Sequence, residues 1–420
     1  MALKKTTGMW VSGEAFFDRE FELDRLDARV RNGTHTLLTA QRRMGKTSLV
    51  RELFRRLNDE GRLETVFVDL EGAATAADAV AEIVVQARSA HDVWTRLRTG
   101  VANVVPGIRD AVDELGVSEL RVKLRATLDP GSWRQKGDAV VASLASNERP
   151  VVLALDELPM LVNRLLKGPK GEATPEGTAA ADEFLSWLRK NGQMYPGRVS
   201  MIVSGSVSLE PVLSEAGLTA HANIFAPFEL KPWDEETAVA CLGGLADGAD
   251  LVVSKPVRRQ VCRLLRCHVP HHVQMFFDCL EEHLRRVGRR RATTEDVERV
   301  YAADLLGVRG QLDLDHYESR LRLVLAPEGY RAALALLTEA AVADGWLRRE
   351  AIEAYSRFFG ARVREGAGGP VSIDHLLRLL EHDGYLARNG DDYRFVSGLL
   401  EDWWRARHGN RHLPITERSD

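Results

Sequence analysis

Residues 35–50, HTLLTAQRRMGKTSLV, constrain this chain more than any other stretch. The apolar run Thr36 to Ala40 has the character of a buried strand. Gln41, Arg42, Arg43, Met44, Gly45, Lys46 and Thr47 follow it, and a helical pattern then runs from Ser48 to Leu57. Strand, loop ending in Gly-Lys-Thr, and helix is the context in which a loop wraps phosphates with its backbone N–H groups. The helix N-terminus behind the loop adds a favourable dipole. In this reading residues Gln41 to Ser48 hold the nucleotide, Lys46 reaches the β- and γ-phosphates, and the Thr47 hydroxyl ligates Mg²⁺. The full pattern has a glycine five residues before Gly45, where this chain has Ala40; a methyl group fits there if φ stays negative. The plain alternative is a strand, turn and helix with a chance Gly-Lys-Thr.

The second landmark is Pro150 to Glu157, PVVLALDE. A continuous apolar run of this kind suits a central parallel strand covered on both faces. It ends in two carboxylates, at the strand end where open α/β sheets place their ligands. Asp156 is read as a Mg²⁺ partner and Glu157 as the general base that polarises the attacking water. An acidic cap on the following helix is the alternative. Strands are also expected at Thr65–Leu70, Val199–Val203 and Ile224–Leu230. Val199–Val203 runs into Ser204-Gly205-Ser206, where a Ser204 hydroxyl is expected beside the loop to sense the γ-phosphate; the alternative is a plain turn.

Between these strands the pattern predicts a helix opening at Asp18-Arg19-Glu20 with apolar positions Phe21, Leu23, Leu26 and Val30. A long helical stretch is expected from about Ala76 to Arg98, a half-exposed strand over Glu119–Ala126 from its alternation, and helices over Trp133–Ser146 and Ala180–Asn191. Gly168–Gly177 is expected as a surface loop. From Trp233 the pattern turns helical: Glu235–Leu245, Lys255–Leu265, His271–Arg286 and Thr294–Leu306. Three further helical patterns (Gly329–Ala343, Arg349–Phe358, Ile373–Asp383) precede a hairpin around Asn389-Gly390 and a last helix over Leu399–Arg407. Three helices and a hairpin suggest a winged helix.

Charge and cysteine content narrow the partners. The formal net charge of −4 exerts no global pull on nucleic acid or anionic membrane. No apolar stretch reaches the length of a membrane span, and the N-terminus lacks a signal-peptide core, so a cytoplasmic protein is expected. Cys241, Cys262, Cys267 and Cys279 lie in one segment without the spacing of a disulfide framework or a zinc site. The arginine run Arg285 to Arg291 is read as a solvated loop, with DNA contact as a less favoured alternative. The helix Ser372–Asp383 carries one arginine against three carboxylates, which argues against reading a major groove. Its leucines 376, 377, 379 and 380 suit packing on protein, within the chain or on a partner.

Asp18-Arg19-Glu20, the loop Arg42-Arg43-Met44-Gly45-Lys46-Thr47-Ser48, Leu155-Asp156-Glu157, Ser204-Gly205-Ser206 and the ending Tyr393-Arg394-Phe395…Asp402-Trp403-Trp404 together resemble the archaeal-type ATPase family. That family belongs to the STAND class of P-loop NTPases and is similar to origin-recognition AAA+ ATPases. The resemblance covers about residues 10–408. It implies an α/β fold: a P-loop NTPase with a five-stranded parallel sheet, a helical lid and a C-terminal winged helix. The expected domains are 1–232 (ATPase), 233–314 (lid), 315–413 (winged helix) and a tail, 414–420. It also implies that Arg19 and Glu20 flank the adenine and that Pro270, in His268-Val269-Pro270, meets the nucleotide from the lid. Asp18, Ala40 and His268 stand where the family has glycine. The expected function is an ATP/ADP- and Mg²⁺-dependent switch, an ATPase that couples nucleotide state to a protein partner, with a homo-oligomer left open. The alternative is a nucleotide-stabilised adaptor for DNA or protein with little turnover.

Overall fold

The computed structural model describes the chain apart from residues 1, 7, 9, 105–115, 129–130, 169–172, 208, 365–370 and 418–420. It divides into two compact units. One, here the sheet unit, comprises Arg19–Thr39 and Lys46–Leu230; the other, the helical unit, comprises Met1–Asp18, Ala40–Gly45 and Lys231–Asp420.

The sheet unit is built on five strands: β1 Thr36–Thr39, β2 Glu64–Asp69, β3 Val151–Asp156, β4 Val199–Ser204 and β5 Ala226–Glu229. All pair in parallel, in the order β2-β3-β4-β1-β5. Strands β3 and β4 are buried nearly throughout, as their continuous apolar sequences require. Register aligns the strand ends: Leu38 pairs with Ser204, Leu155 with Val203, and Asp69 with Asp156. The carboxyl edge therefore gathers the residues that follow β1, β3 and β4.

Three expectations in this unit are corrected. Glu119–Ala126 is not a strand but lies in the helix Val117–Thr127. Leu120 and Leu124 are buried while Val122 is 68% exposed, so the apolar positions obey a four-residue spacing that the alternation also satisfied. The stretch Ala76–Arg98 is broken: the helix Ala76–Gln86 ends in a tight turn, Ala87–Ser89, Ala90 is extended, and a second helix runs His91–Val104. The last part of the expected loop Gly168–Gly177 belongs to the helix Pro175–Met194, capped by Thr174, whose hydroxyl accepts from the Gly177 N–H at 3.0 Å. Residues 169–172 of that loop lie outside the described residues.

The helical unit contains the helices Glu235–Gly248, Lys255–Leu265, Pro270–Arg286 and Thr294–Val300, then Val308–Val324. Its C-terminal part has helices Pro327–Val342, Arg349–Arg364 and Ile373–His382, and a three-stranded antiparallel sheet. That sheet, β6 Trp346–Leu347, β7 Leu386–Asn389 and β8 Asp392–Phe395, runs in the order β6-β8-β7, and the helix Gly398–His408 follows. Trp403 and Trp404 are fully buried core residues there. Leu376, Leu377, Leu379 and Leu380 are buried within the chain. No described helix is long and apolar enough to cross a membrane.

Candidate nucleotide site

In the sheet unit, Asp156 closes β3 and is the centre of a hydrogen-bond cluster. The Thr47 hydroxyl, on the first turn of the helix Lys46–Glu60, donates to its Oδ2 at 2.9 Å. The Ser204 hydroxyl, at the end of β4, donates to Oδ1 at 2.7 Å, and the Glu157 N–H donates to Oδ1 at 3.1 Å. Two other segments thus meet the end of β3 at one carboxylate because parallel register brings their ends to one edge. Lys46 is 8% exposed. Arg51, one turn further along the same helix, stacks over the Phe67 ring at 3.8 Å. Burial pushes its pKa down, against the attraction of Asp156 and Asp69.

Glu157 takes a left-handed backbone (φ 60°) ahead of the helix Leu158–Leu166. Its Oε2 accepts from the Ser206 N–H at 3.1 Å and from the Ser206 hydroxyl at 2.7 Å. Gly205 between the two serines is forced by space: a Cβ there would lie 2.6 Å from the Pro159 ring. Ser204-Gly205-Ser206 therefore supplies two ligands, one to each carboxylate of the pair, where the sequence reading assigned only Ser204.

Arg19 is buried, left-handed (φ 75°), and donates to Glu22 at 2.8 Å. Asp18 before it is also left-handed (φ 62°), a glycine-like conformation. Asp tolerates that region better than most residues. Glu20 is held by Arg56 at 2.6 and 2.8 Å, ten residues beyond Lys46 on the same helix, about 15 Å along its axis. Phe21, expected on the apolar face, is instead 69% exposed with Arg25 stacked on its ring.

In the helical unit, the loop residues Ala40–Gly45 have their own surroundings. Gly45 sits at φ 90°, which needs glycine, whereas Ala40 is not left-handed, so its methyl group is tolerated. Met44 is buried. Arg43 is left-handed (φ 65°); its Nη2 donates to Asp313 Oδ1 at 3.1 Å and its Nη1 hydrogen-bonds to His271 Nε2. The Gln41 amide donates to the Gly384 carbonyl. Pro270 opens the helix Pro270–Arg286 directly before His271. Neither Asp313 nor Gly384 carried any signal in the sequence.

Four of the five arginines in the run are ion-paired. Arg285 pairs with Glu281 at 2.5 Å, Arg286 with Glu282 at 2.9 Å, Arg290 with Asp250 at 2.7 Å, and Arg289 with Asp296. Cys241, Cys262, Cys267 and Cys279 are buried free thiols, and burial pushes each pKa up, to about 12, 12, 11 and 11.

No protein-family model and no curated protein matches the chain. Solved structures do. A Walker-type ATPase of Pyrococcus abyssi superposes with a TM-score of 0.56 at 16% identity, over 94% of this chain and 98% of that one. The Aeropyrum pernix ORC2 protein, solved as ADPNP–ADP complexes, superposes with a TM-score of 0.51 at 13% identity, over 94% and 98%. At such identities the likeness is one of fold, and the chain has the P-loop NTPase fold that these two proteins share, built on a five-stranded parallel sheet.

Proposed function

We propose that this chain is an ATP-binding and hydrolysing switch of the archaeal-type ATPase family, similar to origin-recognition ATPases. The observation that carries the reading is the convergence of Thr47, Ser204 and the Glu157 N–H on Asp156 at the carboxyl edge of a parallel sheet. A hydroxyl and a carboxylate 2.9 Å apart are the hard oxygen donors that Mg²⁺ takes, so Thr47 and Asp156 are the residues to hold it. When bound, Mg²⁺ neutralises charge on the β- and γ-phosphate oxygens. The loop from Gln41 to Ser48 supplies backbone N–H groups to the phosphates, and Lys46 supplies the mobile cation. Glu157 is the general base for the attacking water, and Ser206 sets its orientation. Arg19 and Glu20 flank the adenine, and Pro270 meets the nucleotide from the lid. The domains are 1–232, 233–314 and 315–413, the last a winged helix, and a protein partner reads the nucleotide state. Burial of the leucines on Ile373–His382, with Asp374, Arg378, Glu381 and His382 left outward, supports a winged helix that does not read DNA sequence.

Isothermal titration and phosphate release test this. Lys46→Ala is expected to abolish ATP binding, because the loop loses its cation. Glu157→Gln is expected to keep ATP affinity and lower turnover about 10²-fold or more. ATP affinity unchanged in Lys46→Ala would sink the site. Normal turnover in Glu157→Gln would return the carboxylate pair to a structural cap and favour the low-turnover adaptor.

A further inference from the structure

We propose that Asp313 and His271 are positioning residues of the phosphate loop, holding the Arg43 guanidinium until a bound phosphate draws it off. This rests on the ATP reading above. Arg43 lies three residues before Lys46, yet both its terminal nitrogens are engaged within the helical unit, Nη2 by Asp313 and Nη1 by His271. Its Nε is buried with no hydrogen-bond partner among the described residues. Its left-handed backbone is one that an arginine adopts only when contacts impose it. His271 is neutral, since burial pushes its pKa down, so its Nε2 lone pair accepts from Arg43. The same nitrogen is 3.7 Å from Asp313 Oδ1, too far for a hydrogen bond, which leaves Asp313 as the charge partner of Arg43.

The Asp313 side chain is 41% exposed, and it borders a cavity of about 220 Å³ that His271, Met275 and Arg309 also line. An ion pair with its carboxylate this solvated is weak, and the carboxylate can be released into water without burying a charge. A phosphate offers the guanidinium fork more charge and a bidentate geometry, where Asp313 takes Nη2 alone. The exchange therefore favours phosphate. The loop is tied a second time, by Gln41 to the Gly384 carbonyl.

The structure also supplies a route onward from this contact. Rings follow one another from His271 to His272 (6.2 Å between centroids), Tyr317 (5.9 Å), Tyr385 (5.9 Å) and Trp404 (6.3 Å). The Tyr385 hydroxyl donates to the Tyr317 carbonyl at 2.8 Å. Asp313 lies one turn from Tyr317 on the helix Val308–Val324.

The test is isothermal titration of ATP into the full chain as wild type, Asp313→Asn, Arg43→Ala and the double variant, with Lys46→Ala as control. Asp313→Asn is expected to tighten ATP binding about twofold to fivefold, the scale of a weak ion pair removed from the free state. The gain is expected to vanish in the Arg43→Ala background, and His271→Asn is expected to act in the same direction. ATP bound by wild type and lost in Lys46→Ala, with Asp313→Asn unchanged or weaker, overturns the positioning role alone. So does a gain that persists without Arg43. A wild type that binds no ATP overturns the ATP reading, and this inference with it.

Discussion

Asp156 allows structural and chemical roles to be separated by two substitutions. Three hydrogen bonds end on its carboxylate, from Thr47, Ser204 and the Glu157 N–H. Asp156→Ala leaves all three donors without their acceptor. At about 1 kcal/mol net per hydrogen bond the upper bound is about 3 kcal/mol. Ser204 is buried, but Thr47 and Asp156 are half-buried and the hydroxyls can rotate to other partners, so a loss of about 1–2 kcal/mol is expected. Asp156→Asn keeps the shape. Its oxygen can still accept from Ser204 and Glu157, and its NH₂ can donate to a rotated Thr47 hydroxyl. Its stability cost is expected to stay below about 1 kcal/mol, while the charge that faces a divalent cation is gone. Equilibrium urea unfolding gives the first comparison, and Mg²⁺ dependence of phosphate release gives the second. The reasoning fails if Asp156→Ala unfolds no more easily than Asp156→Asn. It fails equally if Asp156→Asn keeps the wild-type Mg²⁺ dependence.

Two further outcomes are expected. His35 Nδ1 accepts from the Met201 N–H at 3.1 Å and its Nε2 donates to the Gly192 carbonyl at 3.0 Å, and burial pushes its pKa down. The unfolded chain therefore binds the proton more readily, so this contribution to stability is full above about pH 6.5 and falls as pH drops below it; urea midpoints at pH 7.5 and 5.5 should fall further for wild type than for His35→Gln, and equal falls would exclude the role. Gly384 is left-handed (φ 75°), and a methyl group there would overlap the Gln41 side chain. Gly384→Ala should lower the thermal midpoint, and adding Gln41→Ala should recover only part of the loss, since the backbone cost of about 1 kcal/mol remains; full recovery would mean that the backbone carries no strain.

What could be read from sequence is what local periodicity and turn chemistry encode. The strand Thr36–Thr39, the loop to Gly45, the helix from Lys46 and the carboxylate-ended strand Val151–Asp156 each announce themselves within a few residues. The hairpin around Gly390 (φ 65°) does the same through its turn. Partnerships between distant segments carry no such signal. The helix Val117–Thr127 is not legible in sequence because alternating apolar residues fit a strand face and, at every fourth residue, a helix face as well; only burial of Leu120 and Leu124 decides. Phe21 lies exposed although its spacing matches the core. Ser206 is bound to Glu157 across 49 residues, and Arg43 to Asp313 across 270. Such pairs exist because sheet register and helix packing bring particular side chains within hydrogen-bond reach, and that distance is a property of the folded chain alone.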